Sequence, residues 1–162
     1  MPTKPPAMAV ESAERPKLSL SIQLGDGVNA LPASRAQLRR WVAAAIESDA
    51  QIVLRFVGER EGRALNSAYR GRDYATNVLT FAYDEPDAVH ADIVVCLPVV
   101  AREAREQRKP ESAHLAHLVA HGVLHASGYE HDSERGAQRM QRRESELLAR
   151  FRLPDPWGSG YS

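Results

Sequence analysis

The chain is predicted to be an α+β domain, one small four-stranded sheet with helices packed on it and a histidine-bearing helix under the sheet. Three observations predict it. Four segments with strand character lie before residue 98, at 18–24, 52–57, 77–83 and 91–97. Helical periodicity fills the two gaps between the first three of them and takes over the chain after residue 98. Finally, a length of 162 residues suits one core, and neither an internal repeat nor a linker divides it. Strand, helix, strand, helix, two strands and then three helices is the order of an α+β fold.

Residues 18–24 (LSLSIQL) alternate apolar and polar side chains, as a half-buried strand does, and Gly25-Asp26-Gly27 breaks the run. Ser34 with Gln37 forms a capping-box pattern, followed at helical spacing by Leu38, Trp41, Val42, Ala45 and Ile46. Residues 52–57 (IVLRFV) read as a second strand, and 59–69 as a short helix with Ala64, Leu65 and Ala68 on its apolar side. The β-branched and aromatic run at 77–83 makes a third strand, separated by the acidic loop 84–87 from 91–97. That last run is almost continuously apolar and should be central in the sheet. Pro98 fits the first turn of a helix reaching Lys109, and Pro110 and Ser112 start the helix that carries the histidines. Its Leu115, Leu118, Val119 and Val123 need burial against the sheet. Asp132 or Ser133 caps a final helix with an apolar stripe of Ala137, Met140, Leu147, Leu148 and Phe151, ending before Pro154.

Composition bounds the function. Apolar residues make up 43% and charged residues 26%, with 21 basic against 21 acidic side chains. A net charge of zero excludes a broad basic surface that coats any nucleic acid, but not a local basic cleft. Residues 55–72 hold five arginines against two glutamates, and 102–109 hold four cations against two anions. Cys96 stands alone, which excludes an intramolecular disulfide and a cysteine-rich zinc site, and reads as a buried thiol in a reducing compartment. The longest strongly apolar run, 93–101, is too short for a bilayer and contains Pro98. Residues 1–16 read as a disordered extension without signal-peptide character, 17–157 as a single domain and 158–162 as a flexible tail. A cytoplasmic location is expected.

Residues 121–131, HGVLHASGYEH, carry the chemistry. His121 and His125 are four apart, so a helix sets them about 40° apart on one face. Gly128 can take the left-handed conformation that ends helices, turning the chain so that His131 comes back toward the other two. Three neutral imidazoles fit one Zn²⁺ ion with an open fourth position, the signature of a catalytic rather than a structural site. The order matches the zinc-peptidase pattern H-E-x-x-H-x-x-G-x-x-H except at the second position, where Gly122 stands in place of the general-base glutamate. A glycine takes no proton from water, so peptide hydrolysis is disfavoured. His114 and His117 share the helical face of the ligands. His117 is open between a fourth ligand, a hydrogen-bond partner behind a ligand and a buried hydrogen-bonding residue, the last two being favoured. His114 and His90 read as structural.

The same stretch resembles the signature of the YbeY family of metal-dependent endoribonucleases, H-G-x-L-H-x-x-G-Y-D-H, with Glu130 in place of the aspartate. Residues 65–73 (LNSAYRGRD) with 76–81 (TNVLTF) are similar to the family's L-N-x-x-[YF]-R and T-N-V-L-S-F, and 91–96 (ADIVVC) to its G-D-I-V-I-C strand. The three blocks occur in family order, and the resemblance spans about 18–153. It implies a mixed sheet with surrounding helices and zinc held by His121, His125 and His131. It implies a single-strand-specific endoribonuclease in 16S rRNA 3′-end maturation and ribosome quality control, with ribosomal RNA and the ribosome or small-subunit proteins as partners. It also implies that Arg70 lies in the active-site cleft. There an arginine can hold a phosphate in a bidentate contact and stabilise charge developing in the transition state. Arg72, Thr76 and Asn77 are further candidates for RNA contact, and Glu130 for support of a ligand. The route to the nucleophile is open among metal-bound hydroxide, Glu130 as base, and the RNA's own 2′-hydroxyl acting as nucleophile. Tyr129 is expected to pack under the turn rather than to stack on a base. Two rival functions are a zinc peptidase or amidase, disfavoured by Gly122, and a non-enzymatic ribosome-associated factor with a structural metal.

Overall fold

The computed structural model of the protein describes residues 15–157. All but the last two residues of the expected N-terminal extension, and the whole expected tail at 158–162, lie outside the described residues. The architecture is α+β, with nine elements in chain order: β1 (Leu18–Leu24), α1 (Arg35–Ala45), β2 (Ala50–Val57), α2 (Glu59–Arg70), β3 (Val78–Tyr83), β4 (Val89–Cys96), α3 (Leu97–Gln107), α4 (Glu111–Ala126) and α5 (Glu134–Arg150). The sheet order is β1-β2-β4-β3. The first three strands in that order are parallel, and β3 runs antiparallel to β4 at the edge.

Strand parity assigns the two faces. Ile52, Leu54 and Phe56 of β2 join Ala91, Ile93 and Val95 of β4 on the face that buries α1, α4 and α5 in the main core. Val57, Val94 and Cys96 point the other way and meet Leu79 in a smaller cluster beneath α2. There Gly62 lets α2 come close, because a Cβ at that position would sit 3.0 Å from Cys96 Sγ. The thiol is buried, as expected, and burial pushes its pKa up.

Local chemistry explains the helix ends. Ser34 and Gln37 form both bonds of a capping box at α1, at 3.1 and 3.0 Å. Pro98 occupies the first turn of α3, where no N–H is missed. Of the two residues expected to cap α5, Ser133 does so, accepting from Gly136 N at 3.0 Å. Two strands begin earlier than expected: β2 at Ala50 and β4 at Val89. Ala50 and Gln51 pair with Leu18 and Ser19 on one side and with Val89 and His90 on the other. Pairing with neighbours on both sides, parallel for β2 and mixed for β4, extends the strands past their apolar runs.

Candidate metal centre

Helix α4 is buried nearly all round, between the sheet and α1, α3 and α5, which fits its largely apolar sequence. Leu115, Leu118, Val119 and Val123 lie in the core as expected. One stripe is different: His114, His117, His121 and His125 face the gap toward α3, α5 and the C-terminal segment. The helix ends in a Schellman motif, with Tyr129 N donating to Leu124 O at 3.0 Å and Gly128 N to His125 O at 3.1 Å. Gly128 has φ 105°, a left-handed value that favours glycine. Tyr129 then packs against the core and donates its hydroxyl to Glu47 at 2.8 Å. The turn carries His131 back over the end of α4.

The three imidazoles of His121, His125 and His131 form a near-equilateral set. Ring centroids are 6.4 Å apart for His121–His125 and 5.8 Å for each pair with His131. Three imidazoles bound to one tetrahedral ion would place their centroids about 5 Å apart, so closure needs a shift of roughly 0.5 Å per ring. Among the described residues no group of three or more His, Cys, Asp or Glu side chains is placed so that it could hold a metal ion without such a shift. The donor set nevertheless suits a divalent ion of borderline softness: all nitrogen, and open to solvent on the side of His125 and His131.

Behind this trio lies Glu144 of α5, only 1% exposed. Its Oε2 accepts from His121 Nδ1 at 2.7 Å and its Oε1 from His117 Nε2 at 2.8 Å. A carboxylate can only accept, so the hydrogen of a neutral His121 sits on Nδ1 and Nε2 keeps a lone pair for a metal. Burial by itself would raise the Glu144 pKa, but the hydrogen bonds from His117 and His121 outweigh it and hold the carboxyl down at about 2. Trp157 Nε1 adds a third donor, to Oε1 at 2.7 Å. His117 therefore spends Nε2 on Glu144, while its Nδ1 is buried with no partner among the described residues. It is a largely but not fully buried hydrogen-bonding residue that shares the acid of a candidate ligand. His114 repeats the theme one turn earlier, bonded through Nε2 to Glu103 Oε1 at 2.8 Å. Burial pushes its pKa down, against the pull of Glu103. His90 lies on β4, stacked obliquely on Tyr83, away from the stripe.

Gly122 faces the sheet. A Cβ there would come within 2.9 Å of Ile93 Cγ2 and 3.3 Å of Thr80 Oγ1. The position that would carry a peptidase glutamate is thus pressed against β3 and β4 and has no room for one.

Arg70 ends α2, exposed, and makes no hydrogen bond or ion pair among the described residues. Its neighbour Tyr69 packs edge-on against Phe81 of β3, with centroids 5.0 Å apart. Phe81 and Thr80 are successive residues of one edge strand, so α2 reaches β3 from one face and α4 from the other. Arg70 and His121 each lie one residue from these two contacts, on opposite sides of the sheet's outer edge. Arg72 is exposed and Thr76 half-buried in the loop between α2 and β3. Asn77 is committed: its amide donates to both oxygens of Glu103, at 3.0 and 3.3 Å. Glu130 is exposed, with no side-chain bond among the described residues, and its backbone oxygen crosses Gly136 so closely that a Cβ there would be 2.6 Å away. In the basic run, Arg55 is paired with Glu61 and Arg63 with Asp73.

The acids escaped sequence reasoning. Glu144 has one legible signal: it fills the gap between Met140 and Leu147 in the apolar stripe of α5, where an acid needs a buried partner. Glu103 and Trp157 have none, because their partners come from distant segments.

The family model for "Endoribonuclease YbeY" matches residues 29–152. A protein named Endoribonuclease YbeY from Cupriavidus pinatubonensis is 55% identical over 150 residues, covering 90% of this chain and 74% of that protein. Another of the same name, from Thiobacillus denitrificans, is 53% identical over 146 residues, covering 89% of this chain and 99% of the other. The solution structure of TM1509 from Thermotoga maritima is similar with a TM-score of 0.55 and 29% identity, over 87% of this chain and 99% of that one.

Proposed function

The chain belongs to the YbeY endoribonuclease family, and on that premise we propose that it is a zinc-dependent, single-strand-specific endoribonuclease. Its substrate is ribosomal RNA, in 16S 3′-end maturation and ribosome quality control, with the ribosome or small-subunit proteins as partners. The observation that carries the chemistry is the His121, His125 and His131 trio, with His121 oriented from behind by a buried carboxylate.

A zinc ion held by these three rings would supply an activated water and polarise a phosphoryl oxygen. The chain's own residues do the rest. Glu144 holds His121 in one tautomer and one orientation, so its Nε2 keeps the lone pair that a metal needs. Arg70, unpaired among the described residues and fixed at a helix end beside the β3 edge, grips a phosphate of the strand being cut. Glu103 binds Asn77 and His114 at once, so Asn77 shapes the cleft wall through that acid. Arg72 and Thr76 extend the RNA path along the same loop. Glu130, exposed beside His131, is a candidate proton acceptor with no competing bond among the described residues.

Cleavage of a single-stranded RNA spanning the 3′ end of a 16S precursor, by wild type and Arg70→Ala purified identically, tests this. Arg70→Ala is expected to lose roughly 10²–10³-fold in rate, the scale of one oxyanion donor, with unchanged zinc content and melting. An unchanged rate would remove Arg70 from the mechanism. The product ends separate the routes, since a 2′,3′-cyclic phosphate marks attack by the RNA's own 2′-hydroxyl.

A further inference from the structure

We propose that Trp157 is a positioning residue for the metal centre, its indole N–H fixing Glu144 and, through Glu144, the ring of His121. The inference rests on the metal-centre reading above and concerns a residue outside 29–152, the span matched by the family model.

The segment after α5 is built to bring this indole back. Arg152 turns the chain with φ 61°, and Leu153 N donates to Leu148 O at 2.9 Å while its side chain packs on the core. Asp155 Oδ1 then accepts from Ser145 Oγ at 2.7 Å and from Trp157 N at 3.0 Å, pinning the segment along α5 beside Glu144. Trp157 remains 50% exposed, so burial of its ring is not what holds it. Its N–H reaches an acid that is 1% exposed, and its ring meets His117 edge-on at 5.5 Å.

Glu144 thus receives three donors on two oxygens: His121 alone on Oε2, His117 and Trp157 together on Oε1. Both Oε1 donors must be given up before the carboxylate can turn about its last bond. Without the indole N–H, His117 alone holds Oε1, and the carboxylate that aims His121 is less firmly fixed. Trp157 also lines the cleft of about 450 Å³ that His117 and His121 share with Asn77 and Glu103, so the strap closes one wall of the site it orients.

The test is zinc affinity of the full chain, measured by competition with a chromogenic chelator, for wild type, Trp157→Phe and Asp155→Ala. Phenylalanine keeps an aromatic ring against His117 and removes only the N–H; Asp155→Ala releases the strap. Both variants are expected to bind zinc about 3–10-fold more weakly, at or below the low end of what an outer hydrogen-bond partner contributes, with unchanged melting of the metal-free protein. A second readout is made on the wild-type chain. Of its two tryptophan indole N–H resonances, the one missing from the Trp157→Phe spectrum should shift when one equivalent of zinc is added. Zinc binding as tight as wild type in Trp157→Phe, or an indole resonance that zinc does not move, overturns the inference and leaves the metal-centre reading standing. A wild type that binds no zinc overturns both.

Discussion

The histidine cluster has an inner and an outer half, and they are built differently. The inner rings of His114, His117 and His121 are each tied to a glutamate, at 2.7–2.8 Å. The outer rings of His125 and His131 are exposed and make no hydrogen bond among the described residues. The inner half is continuous with the core: α4 and α5 meet there, and Glu144 stands between Met140 and Leu147, both buried. The outer half rests on a helix end and a turn. Fold and chemistry are thereby assigned to different residues of one cluster, with His121 alone belonging to both.

The sharpest way to break this division is His125→Ala. Removing one of three ligands should weaken zinc binding by more than the roughly 100-fold ceiling typical of an outer partner. The metal-free protein should melt like wild type to within about 0.5 kcal/mol, because the ring is exposed. A large loss of stability would mean that the outer half is structural after all. Glu144→Ala should move both quantities. Zinc affinity should fall about 10–100-fold. Stability should fall by about 2–4 kcal/mol, since His117 and His121 both lose their acceptor, while the half-exposed Trp157 can turn its N–H to water. Denaturant melts with and without zinc separate the two effects.

Gly122→Ala probes the packing that carries the inner half. Its methyl would lie 2.9 Å from Ile93 Cγ2, and overpacking of that kind costs about 1–3 kcal/mol. Unchanged stability would show that α4 can lift off the sheet freely. The smallest effect concerns pH. Burial, with Lys109 acting the same way, lowers the His114 pKa below the ordinary histidine value of 6.5, outweighing the pull of Glu103. The folded protein therefore refuses a proton that the unfolded chain accepts. Stability from this group is fully present above pH 6.5 and is lost as the pH falls below it. His114→Gln should flatten that part of the stability curve relative to wild type, read by melts between neutral and mildly acidic pH.

Much of this molecule was legible in its sequence, because its elements are locally consistent. The alternation at 18–24, the Ser34–Gln37 box and Pro98 each act within a few residues and fold as local chemistry dictates. The trio of His121, His125 and His131 was legible for the same reason: one helix repeat and one glycine turn bring the rings together. What was not legible depends on distant partners. The starts of β2 and β4 are set by pairing with strands far away in sequence. Glu144 and His121 are 23 residues apart, and Glu103 and Asn77 are 26 apart. Arg70 sits at the sheet edge by virtue of Phe81, which no local pattern indicates. No helix among the described residues is long and apolar enough to cross a membrane, in line with the shortness of the apolar run at 93–101.

The central claim is that three histidines hold the metal that cuts RNA. The most direct test is cleavage of single-stranded 16S precursor RNA as zinc is titrated into metal-free wild type, beside His125→Ala from the same preparation. The account predicts cleavage that rises to a plateau at one equivalent of zinc in wild type and stays at background in the variant, whose fold is intact. Cleavage that persists under a chelator, or equal cleavage by His125→Ala, would contradict it.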